Sequence, residues 1–151
     1  MRAHDWELMF HRCFVDQLTK LEKAASQARE RDIKASERNP NVKLLNAIAH
    51  LTLNVIPRNP ASSDFRQGNT LGQAWRHWRR AKIGQRFRLF FRFDTRSRII
   101  VYVWINDRQT LRSANSRSDP YVVFKRMLES GNPPSDWNSI LSTSVSDWHN
   151  A

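Results

Sequence analysis

Cysteine is all but missing. Of 151 residues only Cys13 carries a thiol, which excludes an internal disulfide and leaves no partner for a zinc knuckle. Cys13 lies among apolar neighbours on an expected helix, so it reads as a buried, inert thiol. Glycine is scarce, four in all, and none sits in a loop that cradles phosphate. There is no HExxH motif and no paired His/Cys set, so neither a metal nor a cofactor is expected. No apolar run reaches the roughly 18 to 20 residues that a membrane helix needs, and Met1 to Phe10 lacks the apolar core of a secretory leader. A cytoplasmic protein with no membrane partner is the expectation. Carboxylates are outnumbered, 14 Asp and Glu against 25 Lys and Arg.

What is present is positive charge, unevenly spread. The formal charge is +11, a field that favours a polyanion or an acidic protein partner. From Trp75 to Arg112 the basic residues are Arg76, Arg79, Arg80, Lys82, Arg86, Arg88, Arg92, Arg96, Arg98, Arg108 and Arg112, against only Asp94 and Asp107. All but one are arginine, whose planar fork grips phosphate with two hydrogen bonds and stacks on bases. A merely solvated face would be served as well by lysine and glutamate. So few acids in this segment also count against a two-metal nuclease, which gathers carboxylates.

The length fits one domain, residues 1–151, and 40% hydrophobic residues can build one core. Phe10, Phe14, Leu18, Leu21, Ala25 and Ala28 recur at steps of three and four, predicting a helix from Trp6 to about Lys34. Asn39-Pro40 caps a second, with Leu44, Leu45, Ile48, Leu51 and Val55 at helical spacing, closed by Pro57. Residues 6–55 are therefore expected to form a helical hairpin. After a Pro- and Gly-bearing loop the period changes to two. Trp75–Lys82, Arg86–Asp94 and Arg98–Ile105, separated by Ile83-Gly84-Gln85 and Asp94 to Ser97, predict an antiparallel three-stranded sheet over 75–106. Asp119-Pro120 then caps a helix over 119–130, with Val123, Phe124, Met127 and Leu128 as its apolar stripe and Gly131 as its stop. The fold class is α+β.

The second strand is the most informative. Phe87, Leu89, Phe91 and Phe93 alternate with Arg86, Arg88, Phe90 and Arg92, which sends an apolar set to the helical hairpin and arginines to the opposite face. On the third strand Ile99, Val101, Val103 and Ile105 are expected on one side and Ile100, Tyr102, Trp104 and Asn106 on the other. With one face in solvent, the sheet would display Arg80, Lys82, Arg88, Arg92, Tyr102 and Trp104 together. Cations interleaved with flat rings suit single-stranded RNA, whose phosphates are held while its splayed bases stack. Arg79, Arg86, Arg92, Tyr102 and Trp104 are the expected RNA contacts. His77 is expected opposite Arg80 and Lys82, as a structural or turn-side residue.

The motifs Trp78-Arg79-Arg80-Ala81-Lys82, Gln85 to Phe93, Val103-Trp104-Ile105-Asn106-Asp107, Thr110-Leu111-Arg112 and Tyr121-Val122-Val123-Phe124 closely resemble the YhaV toxins. So do Phe65-Arg66-Gln67-Gly68 with Leu71-Gly72 upstream, and Gly131-Asn132-Pro133-Pro134 with Asp136-Trp137 downstream. The resemblance covers nearly the whole chain. It implies a RelE-like fold and the ribonuclease half of a PrlF/YhaV type II toxin–antitoxin system. Such a toxin cuts mRNA, in many relatives on the ribosome, and is silenced by an acidic antitoxin; operator DNA is bound only by the two together. The catalytic set carried over is Arg80 and Lys82 on the first strand, Arg88 in Phe-Arg-Leu, Arg108 or Arg112 after the third strand, and Tyr121. Where the family usually has tyrosine before that arginine, this chain has Phe87, with its side chain expected towards the core.

Two other classes stay open at the level of sequence. A non-catalytic RNA- or ribosome-binding protein, or a DNA-binding regulator, would share the charge, although no helix-turn-helix with a basic recognition helix is visible. A basic sheet that binds only an acidic protein is the third reading.

Overall fold

A computed structural model describes residues 1–150. The first strands are β1 (Arg2–Ala3) and β2 (Trp6–His11), joined by a tight turn in which His4 and Asp5 both adopt positive φ. Next come α1 (Arg12–Arg31), the short α2 (Ile33–Ser36), α3 (Pro40–His50) and, after a π-helical turn at Leu51–Val55, α4 (Ile56–Arg58). Strands β3 (Arg79–Ile83), β4 (Phe87–Asp94) and β5 (Ile99–Ile105) precede α5 (Pro120–Ser130), α6 (Trp137–Ser142) and β6 (Ser144–Val145). The expected caps are in place. Asn39 accepts hydrogen bonds from the amides of Asn41 and Val42, Asp119 accepts one from Tyr121, and Gly131 ends α5 with φ 86°. That left-handed turn suits a residue without a Cβ.

The helical hairpin starts later than the spacing predicts. Trp6, Leu8 and Phe10 are buried in alternation with half-buried Glu7 and Met9, so this segment is a strand and the helix begins at Arg12. His11 ends the strand and caps the helix, its Nδ1 accepting from the amide of Cys13 at 3.1 Å. The sheet is therefore mixed, in the order β1-β2-β5-β4-β3 with β6 also on β2, and not a purely antiparallel meander. β2 runs parallel to β5 in the register Glu7↔Ile99 to Phe10↔Tyr102. The first strand of the expected meander is also shorter, because Gln73–Trp75 turns as a 3-10 helix before Arg79.

Both faces of the sheet are covered, which corrects the expectation of one solvated face. On the first face Leu89, Phe91, Ile100, Tyr102 and Ile105 pack with Phe14, Leu18 and Ile48 of the hairpin. On the second, Trp78, Phe90, Val101, Val103 and Trp104 pack beneath Tyr121, Phe124 and Leu128 of α5 and Ile140 of α6. Phe124 lies flat over the neighbouring rings of Phe90 (centroids 4.3 Å apart) and Trp104 (5.7 Å). β4 keeps its period of two, but β5 does not. The ladder steps from Phe90↔Trp104 to Phe91↔Tyr102, leaving Val103 extra. This bulge puts Val103 and Trp104 on the same face and returns Ile105 to the hairpin side.

Tyr102 answers a defect in the helices. In the π-helical turn the amide of Ile56 bonds Leu51, and Pro57 has no N–H to offer the carbonyl of Thr52. The buried Tyr102 hydroxyl donates to that carbonyl at 2.6 Å. Burial pushes its phenol well above the usual value. Cys13 is half-buried, its Sγ 3.5 Å from Asn132 Oδ1, and burial pushes the thiol up to about 11. No helix among the described residues is long and apolar enough to cross a membrane.

Candidate active site

Antiparallel pairing of β3 with β4 places Lys82 directly across from Arg88 and Arg80 across from Phe90, so all three cations leave the sheet on the α5 side. Capping of α5 by Asp119, with Pro120 at its first position, brings Tyr121 down onto that face, where its ring meets Phe90 edge-on at 5.6 Å. The Tyr121 hydroxyl accepts from Arg80 Nε at 2.9 Å and from Arg88 Nε at 3.2 Å. Both lone pairs of the phenol oxygen are thereby occupied, and what it has left to offer is its O–H. Arg112 lies over the same ring, 4.9 Å from its centroid. Three guanidinium groups thus surround one phenol, with Lys82 exposed beside them.

Arg88 is the floor of this cluster, only 6% exposed. Its other contacts are to carbonyls, Gln85 at 3.1 Å and Phe87 at 2.8 Å, and among the described residues it makes no ion pair. A buried cation held by neutral acceptors alone is costly, and the nearby positive groups add to the potential. That potential is what an anionic phosphate would relieve. Arg80 also donates to the carbonyl of Asp64 at 2.9 Å, which ties the loop before β3 to the cluster.

The segment after β5 sends the two candidate arginines in different directions. Arg112 bonds Asp119 at 2.5 Å through Nη1, and its backbone N–H donates to the carbonyl of Arg86 at 2.9 Å. Arg108 turns the other way, towards Asn41 of α3 (3.3 Å) and the ring of Phe87. Phe87 itself belongs to the hairpin face, where it lines a cavity of about 310 Å³ with Leu21, Leu44, Ile48 and Ile105. Arg112 joins the cluster; Arg108 does not.

The residues expected to contact RNA are placed less favourably. Tyr102 is fully buried on the hairpin face and Trp104 is 6% exposed under α5, so neither is a free platform for a base. Arg92 is sandwiched between Trp78 (5.5 Å) and Trp137 (5.7 Å) and donates to the carbonyl of Ser135. Burial lowers its guanidinium, with Asp136 opposing. It ties the sheet to the α5–α6 connection. Arg79 leaves on the hairpin side over Phe93, with its Nε buried and, among the described residues, without a hydrogen-bond partner. Arg86 is exposed beside the cluster, at the turn before β4. His77 is exposed, 3.3 Å from Ser135 Oγ, away from Tyr121. Burial and then Arg92 lower its imidazole.

Two residues with a hand in this geometry carry no signal of function in the sequence. Asp119 is legible as a helix cap, but not as the partner of Arg112. Asn106 is 3% exposed and bonds both Arg86 and Arg88. An asparagine where an apolar strand ends is a sign of backbone repair that periodicity does not reveal. Among the described residues there is no group of three or more His, Cys, Asp or Glu placed to hold a metal ion.

Comparison with known proteins gives a consistent picture. Residues 8–145 match the model of the YhaV toxins, described as toxins with endonuclease activity of a toxin–antitoxin system. The toxin YhaV of Escherichia coli O6:H1 is 36% identical over 141 residues, which are 92% of each chain. The ribonuclease toxin YhaV of Escherichia coli K12 is 35% identical with the same coverage. No solved structure matches.

Proposed function

The chain belongs to the YhaV toxin family, toxins with endonuclease activity from toxin–antitoxin systems, and on that footing we propose that it cuts RNA without a metal at the cluster around Arg88 and Tyr121. The observation that carries this reading is Arg88: a buried guanidinium with only neutral partners, joined at one phenol by Arg80. In the reaction the 2′-oxygen of the substrate forms a bond to the adjacent phosphorus while the bond from phosphorus to the 5′-oxygen breaks. The products are a 2′,3′-cyclic phosphate and a free 5′-hydroxyl. Lys82, the exposed amine beside Arg88, is the group that takes up the 2′-hydroxyl proton. Arg88 and Arg80 hold the equatorial oxygens as charge builds on them. Tyr121 donates its O–H to the leaving oxygen, and Arg112 offsets the charge on that side.

The same reading extends to partners and architecture. The substrate is mRNA, cut free or on the ribosome, so that translation and growth stop. The toxin is silenced by an acidic, PrlF-like antitoxin, and operator DNA is bound only by the two together. Its architecture is RelE-like and its place of action the cytoplasm. The charge of +11 supports the acidic partner and the RNA alike.

Purified protein and labelled RNA in EDTA provide the test. Wild type should release fragments, and Arg88→Ala should lose at least about 10²-fold in rate, the scale for one preorganised donor to a developing anion. The variant should also fail to arrest growth. Normal toxicity of a folded Arg88→Ala protein rejects this site. Intact but retarded RNA with wild type, or cleavage that stops in EDTA and returns with Mg²⁺, rejects metal-independent scission.

A further inference from the structure

The β4–β5 ladder ends at the pair Leu89↔Ile105. One step further, the buried N–H of Arg88 and the carbonyl of Arg86 still face the departing chain and need partners. The side chain of Asn106 supplies them. Its Oδ1 accepts from the Arg88 N–H at 2.7 Å, and its Nδ2 donates to the Arg86 carbonyl at 3.0 Å and to the Thr110 carbonyl at 2.7 Å. The planar amide stands in for the missing peptide group of β5. The third bond reaches the loop that follows β5. From Thr110 the chain continues to Arg112, whose N–H returns to the same Arg86 carbonyl. A closed ring of hydrogen bonds thus runs from the base of Arg88, through Asn106, to the base of Arg112.

We propose that Asn106 is a positioning residue for the cleavage reaction, setting the spacing between the Arg88 and Arg112 side chains. The inference rests on the reading of the cluster as the phosphate site. Asn106 touches no reacting atom in that reading and acts only through the two arginines. Few other residues could replace it. Aspartate would turn carboxylate oxygens towards the two carbonyls that now receive N–H groups, and serine has one donor where two are used. Thr110 cannot take over, because its hydroxyl is already engaged with Asp107. Arg112 has a second tether in Asp119, but that tether holds its tip, whereas the Asn106 ring holds its backbone.

A ring that only stabilised the loop and a ring that aligns Arg112 predict different double variants. Single-turnover cleavage would be measured for wild type, Asn106→Ala, Arg112→Ala and the pair, with folding checked by circular dichroism and thermal melting. Asn106→Ala should slow the cleavage step by about tenfold or more, while the RNA concentration for half-saturation stays near that of wild type, because every charge remains. In the Arg112→Ala background the same substitution should have little further effect. Equal proportional losses in both backgrounds, or a folded Asn106→Ala protein that cleaves like wild type, overturn the inference. Amide hydrogen exchange supplies a second readout that needs no activity. Protection of the Arg88 and Arg112 amides should fall in Asn106→Ala, and unchanged protection at Arg112 overturns the inference even if the double variant is too slow to measure. Full activity of folded Arg112→Ala and Arg88→Ala variants would instead reject the site reading on which the inference stands.

Discussion

Arg88 and Tyr102 carry opposite lessons about single residues. Both stand on sheet strands in sequence patterns that place them on the arginine-bearing face, and both are buried, yet only Arg88 joins the cluster. Tyr102 instead closes a backbone defect at Thr52. Replacing it with phenylalanine leaves a buried carbonyl without a donor, which should cost about 1–3 kcal/mol of stability in urea unfolding. RNA affinity of Tyr102→Phe should match wild type; a loss of affinity in the folded variant would restore the tyrosine to the RNA-binding surface. The residue-scale reading of the sequence was sound wherever the period of two was unbroken. Phe87, Leu89, Phe91 and Phe93 face the hairpin as spacing predicts, and Arg88 stands opposite. It failed past one bulge, since nothing in a run as uniformly apolar as Ile99 to Ile105 marks Val103 as the extra residue. It also could not choose between Arg108 and Arg112, because the segment that carries them has no period at all.

At the scale of elements, the composition of β5 accounts for the covered second face. A strand of seven consecutive apolar residues is the mark of a sheet covered on both sides, and β5 has that composition, whereas the arginines of β4 imply a solvated face. β2 was hidden for a related reason. Phe10 lies two residues before α1 and extends its apolar spacing backwards, which masks the alternation of Trp6, Leu8 and Phe10. The helices with explicit caps, α3 and α5, were legible at their starts. Asp119 gives α5 a prediction of its own. It caps the helix through Oδ2 and holds Arg112 and the Ser113 amide through Oδ1. Asp119→Ala should lose both functions, at about 0.5–2 kcal/mol for the cap alone. Asp119→Asn keeps an acceptor for the cap but loses the charge that faces Arg112. A melting temperature close to wild type with slowed cleavage is expected for Asn; equal activity of the Asn variant and wild type would show that Arg112 needs no anionic tether.

On the scale of the whole molecule the charge of +11 acts as a field, and the fold decides which parts of it reach RNA. Affinity should fall linearly in log–log plots against salt, with a slope of about −0.7 for each phosphate neutralised on a single strand. Removing exposed Lys82 should flatten that slope by about that amount, whereas removing Arg92, which is committed to Trp78, Trp137 and Ser135, should flatten it far less. Equal changes from the two would mean that the C-terminal segment opens in solution.

The parallel pairing of β2 with β5 has a consequence in time. A ribosome delivers β2 long before the strand that will lie beside it, and pairings between distant parts of a chain are slow to form. Arg80, Lys82 and Arg88 emerge next, still without the tyrosine that gathers two of them. Only when α5 has appeared can Tyr121 settle on the sheet, and β6, which completes the flank of β2, comes later still. During most of its own synthesis the polypeptide therefore carries these positive charges without the arrangement that Tyr121 gives them.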